Sequence, residues 1–100
     1  MAKRKIIWSP KAKVELFEIL DFYYQRNGTK TYSEKLNASF RKSVRLLAKY
    51  SDIGILTDIP NVRNLIEGDY SVFYKIESDT IEILTIWDNR QNPDQLYIKE

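Results

Sequence analysis

Cysteine and histidine are absent from the 100 residues, and glycine and proline occur only three times each. Without a thiol or an imidazole the chain has no zinc finger, no iron–sulfur site, no cysteine nucleophile and no Ser-His-Asp triad. The chemistry left is carboxylate, amine, guanidinium, hydroxyl and phenol, a set that calls for no metal and no cofactor. Also missing is any apolar run of the ~20 residues that a membrane span needs. The start Met1-Ala2-Lys3-Arg4-Lys5 is basic but lacks the apolar stretch of a signal peptide. The expectation is a cytoplasmic protein with no membrane partner. A single domain over residues 1–100 is expected as well, because two cores would receive roughly 50 residues each, a marginal size without disulfides or metals.

Charge is present in abundance but unevenly placed. Residues 1–50 carry 12 Lys or Arg against 4 Asp or Glu, and residues 51–100 carry 4 against 10. The chain is a dipole along its length, which points either to an anionic partner for the first half or to attraction between the halves in the fold. Tyrosine supplies 7 of the 13 aromatic residues, and its amphipathic ring suits half-wet surfaces and interfaces as well as cores.

The hydrophobic pattern divides the chain into elements. Arg4 to Trp8 alternates as a short strand, with Ile6 and Trp8 on one side and Ile7 on the other. Ser9 and Pro10 form a cap and first-turn pair, and Ala12, Leu16, Ile19, Leu20 and Tyr23 then make an apolar stripe with Glu15, Glu18 and Asp21 opposite. This predicts a first helix over Pro10 to Gln25, ended by Asn27-Gly28. Thr31 followed by Glu34 reads as a capping box for a second helix to Tyr50, with Tyr32, Leu36, Phe40, Val44, Leu47 and Tyr50 buried. Its far face holds Lys35, Arg41, Lys42, Arg45 and Lys49, and like charges at successive i,i+4 positions cost a few tenths of a kcal/mol per pair. Ser51 to Asn61 reads as an irregular loop. Val62–Ile66, Tyr70–Ile76 and Ile81–Trp87 read as three antiparallel strands joined by tight turns.

Turn positions set a register. A turn at Gly68-Asp69 places Leu65 opposite Val72 and Arg63 opposite Tyr74; a turn at Ser78-Asp79 places Lys75 opposite Glu82, Tyr74 opposite Ile83 and Phe73 opposite Leu84. Arg63, Leu65, Tyr70, Val72, Tyr74, Ile76, Ile81, Ile83, Thr85 and Trp87 then face the helices. Asn64, Ile66, Ser71, Phe73, Lys75, Glu82, Leu84 and Ile86 share the other face. That second face is too apolar to meet water alone, so either the tail Gln91 to Glu100 or a partner is expected to cover it. On this register Arg63 lies beside Tyr74 on the helix side, where a structural pairing with Glu18 or Asp21 is favoured over a functional role.

The order strand, two helices, three-stranded meander, with the residues Trp8-Ser9-Pro10-Lys11-Ala12, Arg63-Asn64-Leu65, Tyr70-Ser71-Val72-Phe73-Tyr74 and Ile83 through Asn89-Arg90, resembles the RelE/ParE superfamily of bacterial toxins. The resemblance implies an α+β fold, β-α-α-β-β-β, with the helix hairpin packed on one face of a mainly antiparallel sheet. It implies the toxin of a type II toxin-antitoxin module, often a plasmid stabilisation protein, neutralised by a cognate antitoxin. Two targets are known in the superfamily: ribosome-bound mRNA, which RelE-like members cleave, and DNA gyrase, which ParE-like members poison. The nucleases resemble one another in carrying basic residues on the outer sheet face. Aligned on Tyr70, this chain has Asn64 and Ser71 where they have Lys and Arg, and Val62 where a second Lys stands, so the likeness is closer to the ParE side. If the chain were a nuclease, Arg90 and Tyr97 would take the catalytic positions. An antitoxin segment is expected on one of two surfaces: the outer sheet face at Ile66, Ser71, Phe73, Leu84 and Ile86, or the basic row Arg41, Arg45 and Lys49.

Overall fold

A computed structural model describes residues 3–98. The elements follow the order β1 (Lys5–Trp8), α1 (Pro10–Asn27), α2 (Thr31–Leu46), β2 (Ile55–Leu56), β3 (Val62–Glu67), β4 (Tyr70–Ile76) and β5 (Thr80–Asp88), with a 3-10 turn at Pro93–Gln95. The five strands form one sheet in the order β1-β5-β4-β3-β2. Only β1 and β5 are parallel, because the helix hairpin carries the chain across the sheet before the meander returns it to the first strand. The fold is the expected α+β arrangement.

Local chemistry sets the ends of α1. The Ser9 hydroxyl accepts from the Ala12 N–H at 3.1 Å and donates to the Leu84 carbonyl at 2.9 Å, so one side chain caps the helix and ties it to β5. Gly28 adopts φ 72° and returns its N–H to the Tyr24 carbonyl, a left-handed stop that a side chain would disfavour. The start of α2 differs from expectation. Lys30 takes the cap position in a helical conformation with no side-chain bond, and Thr31 is already inside the first turn, so the capping box does not form. The helix also ends four residues early, at Leu46, leaving Lys49 and Tyr50 beyond it. Tyr32 and Tyr50 are exposed rather than buried, Tyr32 resting edge-on against Tyr23.

Ala12, Leu16, Phe40 and Val44 from the helices and Leu47 at the end of α2 meet Tyr70, Val72, Tyr74, Ile81, Ile83 and Ile86 from the sheet in one core, with Ile19 and Leu36 packed against it. A second, smaller cluster lies on the outer face, where Val62, Phe73 and Leu84 are covered by Ile59, Trp87 and the tail residues Leu96 and Ile98. The tail therefore covers part of the apolar outer face.

The register holds through Leu65↔Val72, Arg63↔Tyr74, Lys75↔Glu82 and Tyr74↔Ile83, then slips. Phe73 pairs with Thr85 instead of Leu84, because a bulge in β5 takes up one extra residue. Beyond the bulge the alternation reverses. Ile86 joins the main core under the helices and Trp87 turns to the outer face, the opposite of the sequence-based assignment. Two side chains satisfy backbone groups that the slip leaves loose: the Ser9 hydroxyl on the Leu84 carbonyl, and the Glu15 carboxylate, which accepts from Ile86 N–H at 3.0 Å and from the Thr85 hydroxyl at 2.7 Å. Glu15 thus points at the sheet, not at solvent. The loop before β3 contains the two-residue strand β2, paired with Arg63 and Asn64.

Candidate functional site

By reversing the alternation of β5, the bulge swings the strand end toward α1. Asp88, Arg90, Tyr70 and Tyr23 come together there, in a cleft of about 490 Å3 whose lining also includes Glu15, Glu18, Phe22, Arg26 and Trp87. Arg90 is clamped by Asp88: its Nε and backbone N–H donate to Oδ1 and its Nη2 to Oδ2, each at 2.9 Å. Asp69 lies 3.7 Å from Nη1. The guanidinium stands over the Tyr70 ring at 5.8 Å and donates to the Tyr23 hydroxyl at 3.3 Å. The Tyr70 hydroxyl in turn donates to that of Tyr23 at 3.3 Å.

These contacts separate the two phenols. Tyr23 accepts from Tyr70 and then from Arg90, which stabilises its anion and lowers its pKa below the ordinary tyrosine value. Burial raises Tyr70 well above that value, and its donated bond to Tyr23 adds to the shift. Asp88 is held below the usual carboxylate range, first by its bond from the Arg90 side chain. Arg90→Ala is expected to move the first tyrosinate step in the ultraviolet absorbance at alkaline pH up toward the ordinary value, with Tyr74 unaffected. Stability should fall above about pH 10. Tyr70 and Tyr74 are both raised, chiefly by burial, so the stability they carry is complete below the unfolded tyrosine pKa and is lost as pH climbs through their folded values. Tyr23, shifted the other way, offsets part of this. Urea midpoints measured from about pH 8 to pH 11 check the sign.

The remaining sequence candidates are scattered. Tyr97 is exposed on the tail, where the Lys11 ammonium donates to its carbonyl at 2.8 Å, and it does not line the Arg90 cleft. Ser71 is buried with its hydroxyl donating to Asn89 Oδ1 at 3.0 Å, Phe73 and Leu84 are buried beneath the tail cluster, and Ile66 is exposed. Ile86 belongs to the core, so it offers no outer surface to a partner. Arg63 does not reach Glu18 or Asp21. It donates to the Asp52 and Gly54 carbonyls at 3.1 and 2.8 Å, and with Tyr74 it fastens the loop that follows α2. The Tyr74 hydroxyl donates to the Ser51 carbonyl at 2.7 Å and accepts from Gly54 N–H at 2.9 Å. Arg41, Arg45 and Lys49 are all exposed.

Sequence reasoning missed a second surface. Val14, Phe17, Phe22 and Tyr24 project from α1 into solvent, Phe17 with 68% of its surface exposed. Three shallow grooves converge on Phe17, bordered by Trp8 and Arg41, by Tyr24 and Ser33, and by Phe22 and Arg26. The signal was available: α1 carries large apolar residues around its whole circumference, more than one buried stripe requires.

Residues 6–93 match the family described as ParE toxin of type II toxin-antitoxin system, parDE. The chain belongs to that family. Among solved structures it is similar to one titled "Chromosomal ParDE TA system from P. aeruginosa", at 25% sequence identity with a TM-score of 0.72, covering 84% of this chain and 94% of that one. No curated protein matches. The chain is thus a ParE-family toxin of a toxin-antitoxin module, and among its described residues no helix is long and apolar enough to cross a membrane.

Proposed function

We propose that this ParE-family chain arrests growth by binding an essential target, DNA gyrase, rather than by cutting RNA, and that a cognate antitoxin neutralises it by covering the apolar face of α1. The observation that carries the first part is the state of the outer sheet face. Asn64 and Ser71 stand where RelE-like nucleases resemble one another in having cations, and the tail cluster lies beside them. Arg90 is committed to Asp88 and two phenols on the helix side, leaving no ensemble of cations for a phosphorane. Loss of one well-placed donor already costs about 100-fold to 1000-fold in rate.

The second part rests on Val14, Phe17, Phe22 and Tyr24. Soluble monomers seldom expose so many large apolar side chains on one helix, and an antitoxin segment that folds on contact would bury them. α1 is thus preferred to the two surfaces expected from the sequence, the outer sheet face, where Phe73 and Leu84 lie under the tail cluster, and the basic row Arg41, Arg45 and Lys49.

Induction of the chain in cells, with and without the adjacent gene, tests both parts. The expected result is blocked replication with a DNA-damage response and unchanged mRNA ends, relieved by the adjacent gene product. Phe17→Glu should remain toxic and lose on the order of 100-fold in antitoxin affinity, the range of a hot-spot aromatic. New mRNA ends within ribosome-bound codons, abolished in Arg90→Ala or Tyr97→Phe, would replace this reading with the mRNA endonuclease.

A further inference from the structure

Two stretches of the sequence contain no Asp or Glu, residues 1–14 and residues 35–51, and each carries five Lys or Arg. They lie far apart in the chain, and the fold sets them side by side. The Arg4 N–H donates to the Ala48 carbonyl at 2.9 Å, and the Arg41 guanidinium sits 5.5 Å from the centre of the Trp8 ring. The turn after α2 therefore lies against the start of β1, which sets Arg4 beside the row Arg41, Arg45 and Lys49, and Lys13 of α1 joins it at the Trp8 groove that it lines with Arg41; Lys13, Arg41, Arg45 and Lys49 are exposed. Glu77 and Asp79 meet this face through their backbone carbonyls, which accept from Arg4 Nε and from Lys5 N–H, and the Glu67 carboxylate accepts from the Ser39 and Ser43 hydroxyls on the side of α2 away from Arg41.

Folding does not call for such a face. Arg41 and Arg45 are at i,i+4, and Lys42 and Arg45 at i,i+3, spacings at which like charges destabilise a helix by ~0.2–0.5 kcal/mol per pair. Among the described residues the only salt bridges are those of Arg90, on the other side of the helix hairpin from this row. We propose that the β1–α2 face binds the sugar-phosphate backbone of a duplex nucleic acid, without reading its sequence.

The form of the surface selects that occupant. An acidic polypeptide binds through an exposed edge, a groove or pockets as well as through charge. Of the clefts described above, only the one at Trp8 reaches this face, and it does so at Arg41. A single strand would need bare aromatic rings on which to stack its bases. Here the two candidate rings are capped by cations, Trp8 by Arg41 and Tyr50 by Lys49 at 5.6 Å. What remains is an array of cations on a rigid support, sufficient for phosphates and for little else. The proposal is independent of the toxin's target and of the antitoxin surface on α1.

Fluorescence anisotropy of labelled duplexes of about two helical turns and arbitrary sequence, one DNA and one RNA, titrated with the full chain, tests it. With four phosphate contacts, affinity should fall on the order of 100-fold between about 50 mM and about 200 mM salt. Arg41→Gln, Arg45→Gln and Lys49→Gln should each lower the slope of log affinity against log salt by about 0.9, with an unchanged circular dichroism spectrum. The DNA and RNA arms tell which duplex is preferred. No binding at the lowest salt, or equal slopes in wild type and variants, would overturn the proposal. So would displacement of the duplex by polyglutamate at equal charge, or loss of antitoxin binding in the three variants, either of which would give the face to an acidic polypeptide. Failure here leaves the growth-arrest reading intact, because Phe17→Glu tests that reading on a different face.

Discussion

Phe40→Asp should abolish the cooperative thermal transition of this chain, leaving a circular dichroism signal that changes gradually with temperature. Phe40 is wholly buried at the centre of α2, its ring edge-on to Tyr70 at 5.4 Å between centroids. Truncating a buried aromatic costs about 3–5 kcal/mol by itself. A carboxylate in its place has no cation to meet, since Phe40 belongs to the apolar cluster that holds Leu16, Val44, Val72 and Ile83. Its desolvation adds several kcal/mol more. The total approaches or exceeds the ~5–15 kcal/mol that holds a domain together. Phe17→Asp is the matched control, the same change on an exposed face, and should shift the transition by less than about 0.5 kcal/mol. If Phe40→Asp melted cooperatively near the wild-type temperature, the orientation of α2 on the sheet would be wrong.

The helix orientation that this prediction uses was legible in the sequence, because it depends on periodicity. Leu16, Ile19, Leu36, Phe40, Val72, Tyr74 and Ile83 do share one core, as the apolar spacing implied. Tight turns at Gly68 and Ser78 fixed the register as far as Ile83. Past Ile83 the strand pattern offers no warning. Ile83-Leu84-Thr85-Ile86-Trp87 is apolar on both parities, so strict alternation and alternation with one inserted residue fit equally well. What decides between them is tertiary: Glu15 from α1 and Ser9 from its cap supply the acceptor and donor that make the bulge affordable.

That single slip explains why the candidate site was harder to see than the fold. Arg90 and its neighbour Asp88 are legible in the sequence, but the two phenols that complete the cluster are not. By spacing alone Tyr23 reads as one more core residue and Glu15 as a solvated one. With Ile86 inward and Asp88 aimed at α1, Arg90 closes against Asp88, Tyr23 and Tyr70. A register one residue out puts Ile86 on the outer face and leaves the cleft without a wall. The basic face was half legible for a different reason. Charge spacing on α2 stood out, but only the packing of β1 against the end of that helix shows that a second acid-free segment joins it.

Gly54→Ala is expected to destabilise the chain by about 2–4 kcal/mol, a large effect for one methyl group added in a loop, at a position that is itself buried. Its origin is close approach rather than an unusual backbone angle. A Cβ at position 54 would lie 2.6 Å from the Tyr74 hydroxyl oxygen, 2.8 Å from its ring and 3.0 Å from the Asn64 carbonyl. Tyr74 has no room to yield, being fully buried with its hydroxyl bonded to both Ser51 and Gly54. Relief requires the loop to lift, which also pulls the Gly54 carbonyl away from Arg63. Overpacking costs about 1–3 kcal/mol, and a buried polar group left unpaired about as much. Tyr74→Phe should cost about 1–3 kcal/mol through the unpaired Gly54 N–H and Ser51 carbonyl. Combining the two substitutions should cost less than their sum, since removing the hydroxyl removes the shortest contact and the bonds are lost only once. Urea unfolding of both single variants and the double measures the coupling. Strict additivity would mean that Gly54 and Tyr74 act separately, and that the loop after α2 is not fastened by the β3–β4 hairpin.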